Sequence, residues 1–299
     1  MLVKSFVTVV IPTYNQANFL KLALQSVLDQ TYKVWEAIIV NNFSDDNTTE
    51  IVKNFNDPRI KIIDYKNYGI IAAGRNRGIS ISKGEYIAFL DSDDIWYPEK
   101  LANCIEYIEK GFDLVCHGEY WVGANSNKRK IFYGPEKKAS YRSLLFNGNC
   151  ISTSATVVRK KALTNVGNFS ESSDMVTAED YELWLKLSKS GIKIGFINKI
   201  LGEYRIHEGN NSKAVVKHML AESAVVNKHI KIFGKLSIID NFLVRRRTAL
   251  VYYGAGRGFH RNQDYISALK YFFKTWVTYP LIPRLYIATI LTLFKFLLS

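Results

Sequence analysis

Along the first third of the chain, short apolar runs alternate with helical periodicities. Residues 6–11 are β-branched and apolar, end at Pro12, and predict a buried strand. Leu20, Leu24, Val27 and Leu28 recur at helical spacing and predict a helix over 18–29, with Asn15 or Asn18 as its cap. Residues 36–40 predict a second strand that runs into the polar cluster Asn41-Asn42-Phe43-Ser44-Asp45-Asp46. A helix around 47–55, a turn at Asp57-Pro58 and a strand over 60–63 follow. Next come a helix over 71–82, stopped by Gly84, and a strand over 85–90 that ends at Asp91-Ser92-Asp93-Asp94. This alternation predicts an α/β fold, with a mostly parallel sheet and helices on both faces.

Farther on, residues 112–122 and 130–133 read as strands joined by a turn through Gly123-Ala124-Asn125-Ser126-Asn127. Residues 153–158 read as a strand, 159–165 as a short helix, and 179–190 as a helix ended by Gly191. Beyond residue 212 the pattern becomes long helical periodicity. The expected division is therefore a domain over 1–212 and a helical region over 213–299. Residues 248–258 and 264–277 suggest a helix pair of the tetratricopeptide kind, in a single copy that makes no repeat.

A chain of 299 residues has room for one large domain with an appendage. Its 47% hydrophobic and 22% charged residues exclude disorder, collagen and coiled coil as the main state. Lys plus Arg is 40 and Asp plus Glu is 27, so the net charge is +13 and calls for an anionic partner. Cys104, Cys116 and Cys150 are an odd number without close spacing, which points to reduced thiols and not to a disulfide framework or zinc site. The short apolar run at the N-terminus is not expected to be a signal peptide. No stretch reaches the roughly 18 uninterrupted apolar residues of a membrane span.

The polar clusters Thr13-Tyr14-Asn15, Asn41-Asn42 and Asp91-Ser92-Asp93 each follow the carboxyl end of a predicted strand. Ligands of open α/β sheets bind outside those ends, so the three clusters describe one site. Two carboxylates two residues apart can meet one hard divalent cation, or a cation and a ribose hydroxyl. Alone, such a pair is also what a solvated turn carries. Trp96 at the sixth position, where a calcium loop needs Gly, excludes an EF-hand. Arg75 is a bidentate donor suited to phosphate or carboxylate. Glu179-Asp180 opens a helix, where first-turn acids also serve the helix dipole. Tyr204-Arg205-Ile206-His207 follows, with Asn210, Asn211 and Ser212 behind it. Gly254-x-Gly256-x-Gly258 follows no strand and is not a dinucleotide loop.

In this order the blocks resemble a family-2 glycosyltransferase with the GT-A fold, of the bacterial surface-polysaccharide type. The resemblance runs from Phe6 to about Ser212. It implies inverting transfer of a sugar from a nucleotide-diphospho sugar, most simply a UDP-sugar, with Mn2+ or Mg2+ as cofactor. Tyr14 resembles the residue that stacks on the base, flanked by Pro12, Thr13 and Asn15. Asn41 falls where the family usually has an Asp that binds the base imide; an Asn can accept from N3–H of uracil without carrying charge. Asp91, with Ser92, resembles the residue near the ribose and metal, and Asp93 the metal ligand that bridges to the diphosphate. Arg75 resembles the arginine that supports this pocket. Asp180, beside Glu179, resembles the general base, and His207 the histidine that reaches the metal or diphosphate. One base and one displacement imply inversion; a double displacement needs a carboxylate nucleophile that no block nominates.

Two alternatives share the fold. A sugar-nucleotide pyrophosphorylase should carry a Gly-rich basic loop where Pro12-Thr13-Tyr14-Asn15 stands. A catalytically silent glycan-binding scaffold should not retain Asp91, Asp93 and Asp180. Nucleic acid is not expected as a partner, because the charge clusters in the tail and no nucleic-acid motif accompanies it. The tail carries Arg245-Arg246-Arg247, Arg257, Arg261, Lys270 and Lys274, then an apolar run from Leu285 to Leu298. That run suits the plane of an anionic membrane surface, and with it a glycan or polyprenyl-diphosphate-linked acceptor. A helix packed on the catalytic domain or a homodimer contact is the alternative. The expected location is cytoplasmic, peripheral at the inner face of the cell membrane.

Overall fold

A computed structural model describes residues 5–123, 127–206 and 215–298. His207, the tip of the 123–127 turn and the expected boundary at 212/213 lie outside the described residues. By packing, the chain forms two compact units. One holds Met1–Tyr141, Cys150–Glu171 and Glu182–His207; the other holds Arg142–Asn149, Ser172–Tyr181 and Glu208–Ser299.

The first unit opens with β1 (Val7–Thr13), α1 (Ala17–Leu28), β2 (Trp35–Asn41), α2 (Thr48–Asn54), β3 (Ile60–Asp64), α3 (Ile71–Ile81) and β4 (Tyr86–Phe89). Strands β3, β2, β1 and β4 lie side by side in that order, all parallel. Every residue of β1 and β2 is buried, the polar Thr8 and Glu36 included, and the Thr8 hydroxyl donates to Glu36 Oε1 at 2.9 Å. Buried throughout, the two strands are mostly apolar and do not alternate. Leu20, Leu24 and Val27 of α1 pack on Val9, Ile11 and Ile39, as their spacing predicts. Each such fully buried side chain contributes about 1.5–3 kcal/mol. Helix α3 lies close against β1, since a Cβ on Gly78 would stand 2.5 Å from Val10 Cγ1. Neither Asn15 nor Asn18 caps α1. Gln16 holds the cap position, and the free Ala17 N–H donates instead to Asp46 Oδ2 at 2.9 Å.

The chain continues through β5 (Ile95–Trp96), α4 (Lys100–Glu109), β6 (Leu114–Val122), β7 (Lys128–Ile131), α5 (Tyr141–Asn147), β8 (Thr156–Arg159), α6 (Lys160–Asn165), α7 (Glu179–Lys189) and β9 (Ile194–Arg205). The described strands form one sheet, in the order β3-β2-β1-β4-β8-β6-β9-β5, with β7 on β6. Strand β8 enters antiparallel between β4 and β6, and β9 runs parallel to β6. Four elements, β5, α4, α5 and β9, lie where the pattern reading put none. Two residues are too few to show a period in β5, and β9 breaks its alternation at register shifts opposite Gly118. Helix α4 was legible in Leu101, Cys104, Ile105 and Ile108, its buried stripe.

The second unit is helical: α8 (Val215–Phe233), α9 (Ile238–Arg261), α10 (Tyr265–Thr278) and α11 (Pro283–Leu297). A capping box between Ser237 and Asp240 starts α9. Asp264 caps α10 by accepting from the Ser267 N–H at 3.0 Å. The expected pair at 248–258 and 264–277 corresponds to α9 and α10, with α9 a good deal longer. Among the described residues no helix is long and apolar enough to cross a membrane. All three cysteines are free thiols, Cys104 and Cys116 buried and Cys150 half-buried.

Candidate active site

Thr13, Asn41 and Asp64 end three parallel strands and stand in register as one row. Pro12 and Thr13 are buried in β1, and the Thr13 hydroxyl has no hydrogen-bond partner among the described residues. Tyr14, the next residue, is 56% exposed. Asn15 takes a left-handed backbone (φ 50°). Its N–H donates to Ser44 Oγ at 2.9 Å, and its Oδ1 accepts from the Asp45 N–H at 3.0 Å. The β1 and β2 termini are thereby tied together.

Asn41 uses most of its carboxamide inside the protein. Its Nδ2 donates to Asp64 Oδ1 at 2.7 Å, and its Oδ1 accepts from the Ser44 N–H and hydroxyl at 3.0 and 2.6 Å. The residue is 2% exposed. Its neighbour Asn42 is half-buried; its Oδ1 accepts from the Asn67 N–H at 2.9 Å. Asn42, Ser44, Asp46 and Asp64 all shape this rim. The sequence signal for Asn42, Ser44 and Asp46 is their place in the polar cluster after β2, and for Asp64 its place at the end of the 60–63 strand.

The loop after β4 alternates. Ser92 and Asp94 turn inward, 3% and 1% exposed, while Asp91 and Asp93 stay partly exposed. The Ser92 hydroxyl donates to Gln16 Oε1. Arg75, 3% exposed on α3, reaches Asp91 Oδ1 at 2.7 Å, and the Asp91 N–H donates to Ser154 Oγ at 3.1 Å. The Asp93 carbonyl accepts from Arg205 Nε, and Asp94 Oδ1 accepts from the Arg205 N–H at 3.1 Å. Among the described residues no three acidic, His or Cys side chains are arranged so that together they could hold a metal ion. Asp91 and Asp93 still suit Mg2+ or Mn2+: these ions take one or two carboxylates and complete their shell with substrate phosphates and water.

Titratable groups that the sequence reading passed over lie buried in this unit. Lys100 is fully buried, its ammonium 3.5 Å from the Trp96 ring centroid and without a hydrogen-bond partner among the described residues. Burial pushes it down to about 8. Glu119, 1% exposed, accepts from the Tyr133 hydroxyl at 2.8 Å; burial pushes it up to about 7. Burial also raises Asp94, reinforced by the charges of Asp93, Glu119 and Asp91. His117 is driven down to about 3 by burial and by Lys100, and stays neutral.

Glu179 and Asp180 open α7, in residues that pack with the second unit. Glu179 is 5% exposed, and its Oε2 accepts from the Thr177 N–H at 2.8 Å. Asp180 is half-buried; its Oδ1 accepts from the Tyr181 N–H at 2.7 Å. Just before them Thr177, a β-branched residue, is held at φ 88°. Its carbonyl accepts from His218 Nδ1 at 3.0 Å. Strain of this kind costs about 1–3 kcal/mol and collects at functional sites.

Residues 8–167, more than half of the chain, match the family described as "Glycosyl transferase family 2". The chain belongs to glycosyltransferase family 2. It is therefore an enzyme that transfers sugar. Among curated proteins, this family-2 member is 33% identical over 221 residues to "UDP-Glc:alpha-D-GlcNAc-diphosphoundecaprenol beta-1,3-glucosyltransferase WfaP" of Escherichia coli, covering 74% of this chain and 85% of that protein. Two solved structures share its fold. S. aureus TarS 1-349 in complex with UDP-GlcNAc superposes with a TM-score of 0.66 at 18% identity, over 97% of this chain and 89% of that one. The mannosyltransferase PcManGT of Pyrobaculum calidifontis, in complex with GDP-Man and Mn2+, gives 0.64 at 14% identity, over 99% and 86%. The expected GT-A α/β fold with a C-terminal helical region is the fold observed.

Proposed function

We propose that this family-2 glycosyltransferase moves a hexose from a UDP-sugar onto a lipid-linked glycan, by a single displacement with inversion. The observation that carries the reading is the row Thr13–Asn41–Asp64 with Asp91 and Asp93 on the same strand-end rim. The named relative uses UDP-Glc and a diphosphoundecaprenol-linked acceptor, and the TarS structure holds UDP-GlcNAc, which supports both halves of the reading. The setting is surface-polysaccharide assembly at the cytoplasmic face of the cell membrane. On this reading the catalytic domain runs to about residue 212.

Tyr14 stacks on the base. Asn42 meets the base edge, while Asn41 holds the rim in shape. Pro12, Thr13, Asn15 and Ser92 form the floor under the nucleotide. Asp91 and Asp93 would hold Mn2+ or Mg2+, joined by His207 on the strength of the resemblance. The ion would supply positive charge against the diphosphate as its bond to the sugar breaks. Arg75 fixes the Asp91 carboxylate in place. Asp180 takes the proton from the acceptor hydroxyl as that oxygen attacks the anomeric carbon, and Glu179 steadies the turn before it.

The test is a transfer assay with UDP-glucose, UDP-N-acetylglucosamine and UDP-galactose, using a GlcNAc-diphospho-lipid acceptor. Product of inverted anomeric configuration, lost in Asp180→Asn with UDP binding intact, is expected. Turnover unchanged in Asp180→Asn would remove the base assignment.

A further inference from the structure

Helices α10 and α11 each turn a narrow stripe inward. On α10 it is Ala268, Phe272 and Thr275; on α11 it is Leu285, Ala288 and Thr292. The stripes close on one another and on Ala249 of α9, and His260 Nδ1 meets Thr292 Oγ1 at 2.7 Å. The outer face of a helix packed this way is normally polar. Here Phe273, Trp276 and Val277 of α10 and Ile287, Leu291 and Phe294 of α11 are all exposed, at 49–64%. On α11 the last three recur at i, i+4 and i+7, a continuous apolar stripe on the side away from the core.

The charges beside this face are of one sign. Residues 265–299 contain Lys270, Lys274, Arg284 and Lys295 and no Asp or Glu. Asp264, just before them, is engaged in capping α10. Two copies joined through this face would bring like charges together, because a two-fold contact repeats the same patch on both sides. An anionic lipid surface answers both the cations and the apolar side chains. Helix α11 has 15 residues, about 22 Å of helix against about 30 Å of hydrocarbon, so it suits the plane of the interface and not a crossing.

We propose that the outer faces of α10 and α11 dock on an anionic phospholipid bilayer and lie in its plane, with Phe273, Trp276, Ile287 and Phe294 inserted and Lys270 and Lys274 over the headgroups. The proposal gives the lipid-linked acceptor reading a physical anchor but needs neither donor nor acceptor to be tested. Full-length protein is floated with phosphatidylcholine vesicles and with vesicles rich in phosphatidylglycerol. It floats with the anionic vesicles, stays in the aqueous fraction with the neutral ones, and is released by salt. Phe273→Ser/Ile287→Ser/Phe294→Ser, at exposed positions, abolishes flotation, and Lys270→Ala/Lys274→Ala weakens it about tenfold or more. UDP binding is read in the same preparations, so a failed surface and a failed donor reading are told apart. Wild-type protein that is folded and never floats overturns the proposal. So does a lipid-free dimer that the triple variant converts to monomer.

Discussion

Asn41 donates to Asp64 across 2.7 Å while accepting twice from Ser44, so its carboxamide oxygen is fully engaged and one of its two N–H groups is spent inside the protein. The family resemblance implies a base-reading role for Asn41; we propose instead that Asn41 shapes the rim and that Asn42 meets the base edge. Asn41→Ala would leave Asp64 and Ser44 without their partner and should cost about 2 kcal/mol of stability. Asn42→Ala removes one acceptor, that of the Asn67 N–H, so it should cost about 1 kcal/mol, less than Asn41→Ala, and weaken UDP binding about tenfold. Thermal melts and UDP titrations on both variants decide it. Loss of UDP binding from a fully stable Asn41→Ala would restore the base-reading role to Asn41.

Arg75 is 3% exposed and faces Asp91 at 2.7 Å. Removing one partner of a buried pair costs about 3–5 kcal/mol. Arg75→Met should therefore lower stability by about 3 kcal/mol, discounted for the exposure of Asp91. Arg75→Lys, which keeps the charge without the planar fork, should fold and lose turnover more than donor affinity. Urea denaturation and steady-state kinetics measure the two effects.

Lys100 offers a pH signature. Burial holds it near 8 instead of 10.5, so between those values the unfolded chain binds a proton that the folded chain has released. Its contribution to stability therefore rises with pH across that window, by up to about 3 kcal/mol. The thiols of Cys104 and Cys150 are raised by burial and act in the opposite direction. The readout is thus the difference between wild type and Lys100→Met. That difference should shift in favour of wild type from pH 8 upward, and a flat difference would show that Lys100 is solvated in the folded state.

Thr177 sits at φ 88°, two residues before Glu179, with its carbonyl held by His218. Thr177→Gly relieves the strain and should leave the melting temperature level or slightly raised. If the strain serves to present Glu179 and Asp180, turnover falls at the same time while UDP affinity stays. A variant with higher stability and unchanged turnover would reduce Thr177 to a turn residue.

The parallel half of the sheet was legible because its strands are buried on both faces and its helices carry one apolar stripe. Tyr14, Asp91 and Asp93 stand out in the sequence because strand-end loops concentrate polar residues at a shared rim, whereas Arg75 lies inside α3 and stands out only as a bidentate donor within the family-like order of blocks. The inward members of those loops were not. Nothing in the string Asp91-Ser92-Asp93-Asp94 says that Ser92 and Asp94 turn under while Asp91 and Asp93 stay out. Lys100 and Glu119 draw no notice in the sequence, because burial of a charge depends on tertiary packing that no local period reports. The exposed face of α11 was visible as a run, but only the structure separates its three inward residues from the rest.

The most direct test of the account is calorimetric titration of UDP, GDP, dTDP and CMP into the full-length protein, with and without Mn2+. The account predicts binding of UDP that strengthens with Mn2+, weakens in Asp93→Asn and far exceeds that of the other nucleotides. Binding of GDP or dTDP in preference to UDP would contradict the assigned base. No binding of any nucleotide by folded protein would contradict the donor site itself.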